Sequence, residues 1–268
     1  MKVYSHTLQG KRQSNEDEHV HMLNLSGCNK KYNSINFLGV FDGHGGKEIS
    51  KYLKDNLPAY FINKFKNDIY SDQHEASNYF HETFNTIQTN LIKEYPRKSK
   101  SCGSTACICI QYIDNRDRNI LWVLNAGDTR AIKCNRSSIA EQLSQDHKPN
   151  SPEEKRRIEQ LGGKIEFDGS DWRIKDLSLS RAFGDVECTP YVTHLPQIYR
   201  YKVGQHDKFI IVACDGLWDV VSNQDAVDFI INLQMNENYN NNYAQALAEY
   251  GLKMGSWDNI SVIILFFN

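Results

Sequence analysis

No stretch of this chain is long and apolar enough to cross a bilayer. The longest apolar run, Ile260 to Phe267 with Ser261 inside it, falls far short of the roughly 20 residues a spanning helix needs. The opening Met1-Lys2-Val3-Tyr4-Ser5-His6 has no apolar signal core, and Lys2 stands where myristoylation requires glycine. No membrane partner is expected, and a cytoplasmic or nuclear location is. A basic excess is missing too: Lys and Arg total 31 against 33 for Asp and Glu, a formal charge of -2. That balance argues against a nucleic-acid partner, whose footprint would be basic. The short stretch Arg97-Lys98-Ser99-Lys100 reads as a solvated loop. The seven cysteines, at 28, 102, 107, 109, 134, 188 and 214, contain no CxxC pair and no regular spacing. Their odd number and apolar settings predict buried, reduced thiols. None lies in a Cys-x5-Arg phosphate loop, so no cysteine nucleophile is expected. No Pro/Gly/Ser-rich linker divides the chain and no long extension flanks its motifs. Residues 1–268 are therefore read as one domain, monomeric, without a separate targeting or regulatory module.

What is present is ordinary globular composition, 40% hydrophobic and 24% charged. Residues 106–113 and 120–127 flank the polar turn 114–119 and read as a hairpin, and 36–41, 208–214 and 260–267 read as further strands. Most are nearly continuous apolar runs, which predicts cover on both faces. Ile49, Leu53, Leu57, Tyr60 and Phe61 recur at helical spacing, as do Phe80, Phe84, Ile87 and Leu91. A third helix is expected from a Ser151 cap and Pro152 to the Leu161-Gly162-Gly163 stop. Two more fit Asp225 to Met235 and Tyr243 to Met254. Helices in groups around hairpin-joined strands indicate an α+β layered sandwich.

Three aspartates share one local setting. Asp42 follows an apolar run and opens Asp42-Gly43-His44-Gly45-Gly46; Asp215 does the same at Asp215-Gly216-Leu217-Trp218-Asp219; Asp258 directly precedes the run from Ile260. A strand end fixes a short side chain, and neighbouring glycines admit close approach of backbone or ligand. One Asp-Gly is simply a turn. Several such carboxylates at one end of a sheet make an oxygen cage suited to hard divalent cations.

With these segments in place, the chain resembles the metal-dependent serine/threonine protein phosphatases of type 2C. The resemblance rests on segments in the family's order: Arg12-Gln13-Ser14-Asn15-Glu16-Asp17, Phe41-Asp42-Gly43-His44-Gly45-Gly46, Gly103-Ser104-Thr105-Ala106, Ala126-Gly127-Asp128-Thr129-Arg130, Asp146-His147-Lys148-Pro149, Leu179-Ser180-Arg181-Ala182-Phe183-Gly184-Asp185, Cys214-Asp215-Gly216-Leu217-Trp218-Asp219 and Trp257-Asp258-Asn259-Ile260-Ser261. It implies a four-layer α/β/β/α sandwich, two central antiparallel sheets flanked by helices. It also implies hydrolysis of phosphoserine and phosphothreonine in phosphorylated protein substrates by a metal-activated water, with no covalent enzyme intermediate. By resemblance, Asp42 bridges two tightly bound Mg2+ or Mn2+ ions, Asp215 and Asp258 complete the first, and Glu16 and the Gly43 carbonyl complete the second. Asp128, Asp215 and Asp219 correspond to a weaker third site. Arg12 resembles the arginine that grips the phosphate, and His44 the histidine that protonates the leaving group.

Read without the family, some of these residues have plainer meanings. Glu16-Asp17-Glu18 is a solvated charge run, His44 a loop histidine, and Asp146-His147-Lys148 a surface turn. Asp128 caps a turn or pairs with Arg130, and Asp185 supports the Arg181 loop. The region 150–195 corresponds to the family's flap, where the chain departs from the common pattern: a Val-Asn-Gly-like turn is replaced by Ile174-Lys175-Asp176, so a changed flap conformation is expected. The alternative function is a catalytically inactive phosphatase fold used as a binding or scaffold protein; the full set of acids argues against it.

Overall fold

The computed structural model describes residues 1–25, 35–63, 73–114, 116–236 and 241–267. Cys28 lies outside them; the other six cysteines are buried and free, as expected. The first strands are β1 (Lys2–Leu8), β2 (Glu18–Leu25), β3 (Ile35–Phe41), β4 (Gly43–His44), β5 (Gly103–Ser104), β6 (Ala106–Ile113) and β7 (Asn119–Ala126). They are followed by β8 (Arg130–Cys134), β9 (Ala140–Gln142), β10 (Glu166–Phe167), β11 (Trp172–Arg173), β12 (Phe183–Gly184), β13 (Gln197–Lys202), β14 (Phe209–Ala213) and β15 (Ile260–Phe266). The α-helices are α1 (Glu48–Asn63), α2 (Gln73–Glu94), α3 (Pro152–Gln160), α4 (Asp215–Trp218), α5 (Asn223–Met235) and α6 (Tyr243–Lys253).

Two five-stranded antiparallel sheets form, one in the order β1-β15-β14-β8-β9 and one in the order β13-β7-β6-β3-β2. Their strands have a period of two, so each delivers side chains to two different cores. Along β6, Ile108 and Ile110 join Phe37, Phe80, Phe84 and Trp122 under α1 and α2. The intervening Cys107 and Cys109 join Ile210, Val212, Ile263 and Leu265 between the sheets. The far face of the other sheet, with Ile211, Val262 and Ile264, is covered by α5 and α6 through Val227, Ile230 and Leu247. Helix, sheet, sheet, helix is the expected four-layer α+β sandwich, and the continuous apolar runs are explained by cover on both faces.

Several strands carry no apolar run and were not expected. β1 (KVYSHTL), β2 (EHVHMLNL) and β13 (QIYRYK) are mostly half-buried, with no fully buried residue, and mix polar and apolar residues. With β9 they are the outermost strands of their sheets, where one backbone edge has no partner strand among the described residues. The expected third helix is α3, and Gly162 beyond it takes the left-handed conformation. Ser151 occupies the cap position but does not cap; its hydroxyl donates to the Lys148 carbonyl at 2.8 Å.

The region 150–195 has a small core of its own, in which Ile158, Ile174, Leu179, Ala182, Cys188 and Val192 pack together. Within it β10 and β11 form an isolated hairpin. The altered turn at 174–177 closes tightly: Ile174 and Leu177 exchange backbone hydrogen bonds of 2.9 and 3.1 Å. Lys175 pays the conformational cost there, with φ of 53° in the region that favours glycine. Its ammonium donates to the Glu187 carbonyl, which ties the turn down.

Candidate metal centre

The two sheets meet their loops at one end of the sandwich. β3 of one sheet ends just before Asp42, β14 of the other ends before Asp215, and β15 is entered through Asp258. The acids therefore face one another across the seam between sheets. A cavity of about 460 Å³ opens there, walled by Arg12, Glu16, Asp42, His44, Asp128, Asp215 and Asp258, with Arg173, Asp176 and Leu179 contributed by the 150–195 region.

Backbone contacts hold Asp42 rigidly. Its N–H donates to Thr105 Oγ1 at 3.0 Å and its carbonyl accepts from Thr105 N–H at 2.9 Å. Thr105 in turn meets Thr129 at 2.6 Å, hydroxyl to hydroxyl, which spans the two sheets. At Gly43 any Cβ would collide with the Glu16 carbonyl and the Ser50 hydroxyl, so only glycine admits this approach. Asn259 locks the N-terminal loop to the same site: its Oδ1 accepts from Glu16 N–H at 2.9 Å, and its Nδ2 donates to the carbonyls of Gln9 and Ser14 at 2.8 and 3.0 Å.

Carboxylate oxygens of Asp42, Asp128 and Asp215 lie within 4.8 Å of one another. Burial first, then the charges of Asp17, Asp215, Asp128 and Asp258, push Asp42 well above the usual carboxylate range. Burial and the Asp128 charge likewise push Asp215 up to about 8, although Lys148 opposes them. Asp17 and the Cys214 thiol also lie close to Asp42. Both are buried, and one buried oxygen of Asp17 has no hydrogen-bond partner. Burial raises the Cys214 thiol well above its ordinary value, so it is a neutral neighbour rather than an anionic ligand. Crowded, mutually repelling carboxylates and an unpartnered carboxylate oxygen are what a divalent cation would relieve. The donor set is all oxygen, which matches a hard cation.

The remaining expected residues are placed around this cluster. Glu16 lines the cavity, its carboxylate accepting from Gly46 N–H at 2.9 Å and the Ser14 hydroxyl at 3.1 Å. Asp258 is paired with Arg12 at 2.6 Å, and that guanidinium is more than half exposed. Asp219, one turn beyond Asp215, is exposed and lies outside the cavity wall, though its charge is felt at Asp215 and Lys148. His44 reaches Asp185 at 2.7 Å. Burial alone would lower the His44 pKa, but the Asp185 hydrogen bond and charge outweigh it and raise it.

Some plain readings of single residues are overturned. Asp17 is buried, so Glu16-Asp17-Glu18 is not a solvated run. The 146–148 segment is no surface turn: His147 is buried against the Gly127 backbone, and the Lys148 ammonium contacts Asp128 and lies 3.6 Å from Asp215. Asp128 pairs with Lys148 rather than Arg130, whose partner is Asp146 at 2.5 Å. Asp185 keeps the loop-supporting role read for it, its carbonyl accepting from Cys188 N–H at 2.8 Å, and its carboxylate adds the bond to His44. Lys148 and Asp185 thus contact residues of the cavity wall, Asp128 and His44, which their types and local spacing did not reveal.

The comparisons agree on a single family. Residues 1–260 match the family described as Protein phosphatase 2C. The chain is 37% identical over 262 residues to Probable protein phosphatase 2C 11 of Arabidopsis thaliana, covering 97% of this chain and 65% of that protein. It is 35% identical over 257 residues to Protein phosphatase 2C homolog 1 of Schizosaccharomyces pombe, covering 95% of this chain and 69% of the relative. The crystal structure of serine-threonine phosphatase 2C from Toxoplasma gondii superposes with a TM-score of 0.83 at 24% identity, over 99% of this chain and 94% of that one, a likeness of fold.

Proposed function

Because the chain belongs to the protein phosphatase 2C family, we propose that it hydrolyses phosphoserine and phosphothreonine in proteins with the help of Mg2+ or Mn2+. The observation that carries the reading is the meeting of half-buried Asp42 and Asp215 with buried Asp128 at the seam between two sheets, three carboxylates with too little positive charge among them. Asp42, Asp215 and Asp258 are assigned to one cation, and Asp42, Glu16 and the Gly43 carbonyl to a second. Such a pair polarises water and neutralises charge on the phosphoryl group.

The protein's own groups supply the rest. Arg12 offers a planar fork of N–H donors to two phosphate oxygens, a geometry that a lysine lacks. The pairing with Asp258 keeps that fork at the cavity wall until a phosphate arrives. His44 gives a proton to the departing seryl or threonyl oxygen. A third cation among Asp128, Asp215 and Asp219 would meet the Lys148 ammonium already there, so it is expected to bind more weakly than the other two.

The test is turnover of p-nitrophenyl phosphate and a phosphothreonine peptide by the purified chain. Activity is expected with Mn2+ or Mg2+ and none with excess EDTA, and Asp42→Asn should remove most turnover and weaken cation binding measured by calorimetry. Hydrolysis that survives the chelator would overturn the reading. A folded protein that binds the cations but hydrolyses neither substrate would instead indicate an inactive scaffold.

A further inference from the structure

Asp185 lines no part of the cavity and joins no metal-binding group among the described residues, yet its position is unusually constrained. The strands β4, β5 and β12 form a small antiparallel sheet in which His44 pairs with Gly103 and Gly103 pairs with Gly184. The residue after Gly184 is thereby set across from His44, with only a glycine between. A Cβ at Gly103 would collide with both Asp185 Oδ2 and His44 Nε2, so the absent side chain leaves the gap that their 2.7 Å hydrogen bond fills. Buried Gln88 of α2 clamps Gly184 from both sides, accepting from its N–H at 3.0 Å and donating to its carbonyl at 3.1 Å. Asp185 itself is held at φ 46°, a left-handed conformation costly for a residue with a side chain, and its N–H donates to the Cys102 carbonyl at 3.2 Å. Its carboxylate is almost wholly buried, while His44 stays partly open to the cavity.

We propose that Asp185 is a positioning residue that accepts the Nε2 hydrogen of His44, fixes the plane of the ring, and leaves Nδ1 as the atom that delivers the proton to the leaving oxygen. The proposal rests on the phosphatase reading of the site. In the step concerned, the oxygen of the attacking water bonds to phosphorus, and the bond from phosphorus to the seryl oxygen breaks with its electron pair on that oxygen. The seryl oxygen takes the Nδ1 proton of the imidazolium, and the proton of the water leaves to solvent. Neutral His44, still donating Nε2–H to Asp185, regains its Nδ1 proton from solvent. A carboxylate that orients the ring of an acid–base histidine in this way acts through it, without touching substrate.

The experiment compares Asp185→Asn, His44→Gln and the double variant, with Mn2+, on a phosphoserine peptide and on p-nitrophenyl phosphate, whose leaving group needs little protonation. Each single variant is expected to lower kcat on the peptide by about tenfold or more, and on p-nitrophenyl phosphate by less than about threefold. The double variant should be no slower on the peptide than His44→Gln within about twofold, because a positioning role vanishes with the ring it positions. Equal losses on both substrates, or losses that multiply in the double variant, would mean that Asp185 only supports its loop. Nitrogen NMR of the His44 ring in the metal-free wild type, recorded where the ring is neutral, decides the matter without activity or variants. The proton is expected on Nε2, and a proton on Nδ1 alone would overturn the proposal. Wild type inactive on both substrates with the ring tautomer as expected would count against the phosphatase reading and not against the pairing.

Discussion

Asp215 illustrates how a single residue is set against its own fold. Its carboxyl is half-buried beside Asp128 with Lys148 3.6 Å away, and its pKa is pushed up to about 8. A carboxyl whose folded pKa lies above its unfolded value binds more protons folded than unfolded, so stability falls as pH rises between the two, here from about 4 to about 8. The metal-free protein should therefore melt at a lower temperature at pH 8 than at pH 6. Asp215→Asn removes the charge with little change of shape, so the metal-free variant should be more stable than metal-free wild type at pH 8. A gain of about 1 kcal/mol corresponds to roughly 2–4 °C in Tm for a domain somewhat smaller than this one. The variant should also lose most of the stabilisation that Mn2+ gives the wild type. Calorimetric scans with and without Mn2+ check both, and a variant less stable than wild type without metal would contradict this account of the charge cluster. Asp42, Asp215 and Asp258 were legible because each stands beside an apolar run that fixes it at a strand end. Asp185 was not legible. Its partner His44 is 141 residues away, and the pairing depends on a register across Gly103 that no local pattern encodes.

The helix α3 shows the same dependence one level up. Its existence was readable from Pro152, the early acids and Gly162, but its attachment was not. Glu154 is buried and accepts from Arg181 at 2.6 Å, Arg157 at 2.8 Å and the Ser180 hydroxyl at 2.7 Å. Burial alone would raise its pKa, yet the two arginines and the serine outweigh it and bring it down to about 2. A depressed carboxyl contributes stability that is present above the unfolded value and lost as pH falls, here between about 4.5 and 2. Glu154→Gln leaves two guanidinium groups without their anion, a break that typically costs on the order of 3–5 kcal/mol for a buried pair. Hydrogen exchange should then show lost protection in residues 150–195 at neutral pH, with the helix-covered sheets little changed. Wild type should show the same loss only on acidification below pH 4. Unaltered exchange in this region would make the ion cluster incidental. The outer strands β1, β2 and β13 mark the other limit of local reading. They are strands because a sheet already present offers them an edge, whereas an apolar run such as 209–213 announces itself alone.

At the scale of the molecule, the sandwich places chemistry at the seam between sheets and leaves one appendage free to vary. The residues that wall the cavity from the 150–195 side, Arg173, Asp176 and Leu179, rest on the small core around Ile158 and Ile174. Among the described residues the β10–β11 hairpin beyond them pairs with no other strand. Its Phe167 and Trp172 rings lie 5.4 Å apart and are largely exposed, a contact that does little to hold the fold. Such a surface can meet residues flanking a phosphosite without touching the metal centre, as binding loops on rigid scaffolds do. Replacing residues 166–172 with a Gly/Ser loop spares the buried Ile174 and Arg173 itself, though it removes Asp168, the ion-pair partner of Arg173. Turnover of p-nitrophenyl phosphate should stay within about threefold of wild type, and stability within about 1 kcal/mol, because the replaced residues are exposed. The ranking of kcat/KM among phosphopeptides that differ only in their flanking residues should change, with those carrying apolar flanks losing most. An unchanged ranking would remove the hairpin from substrate selection and move the search to the cavity wall itself, to which Arg173 and Asp176 belong.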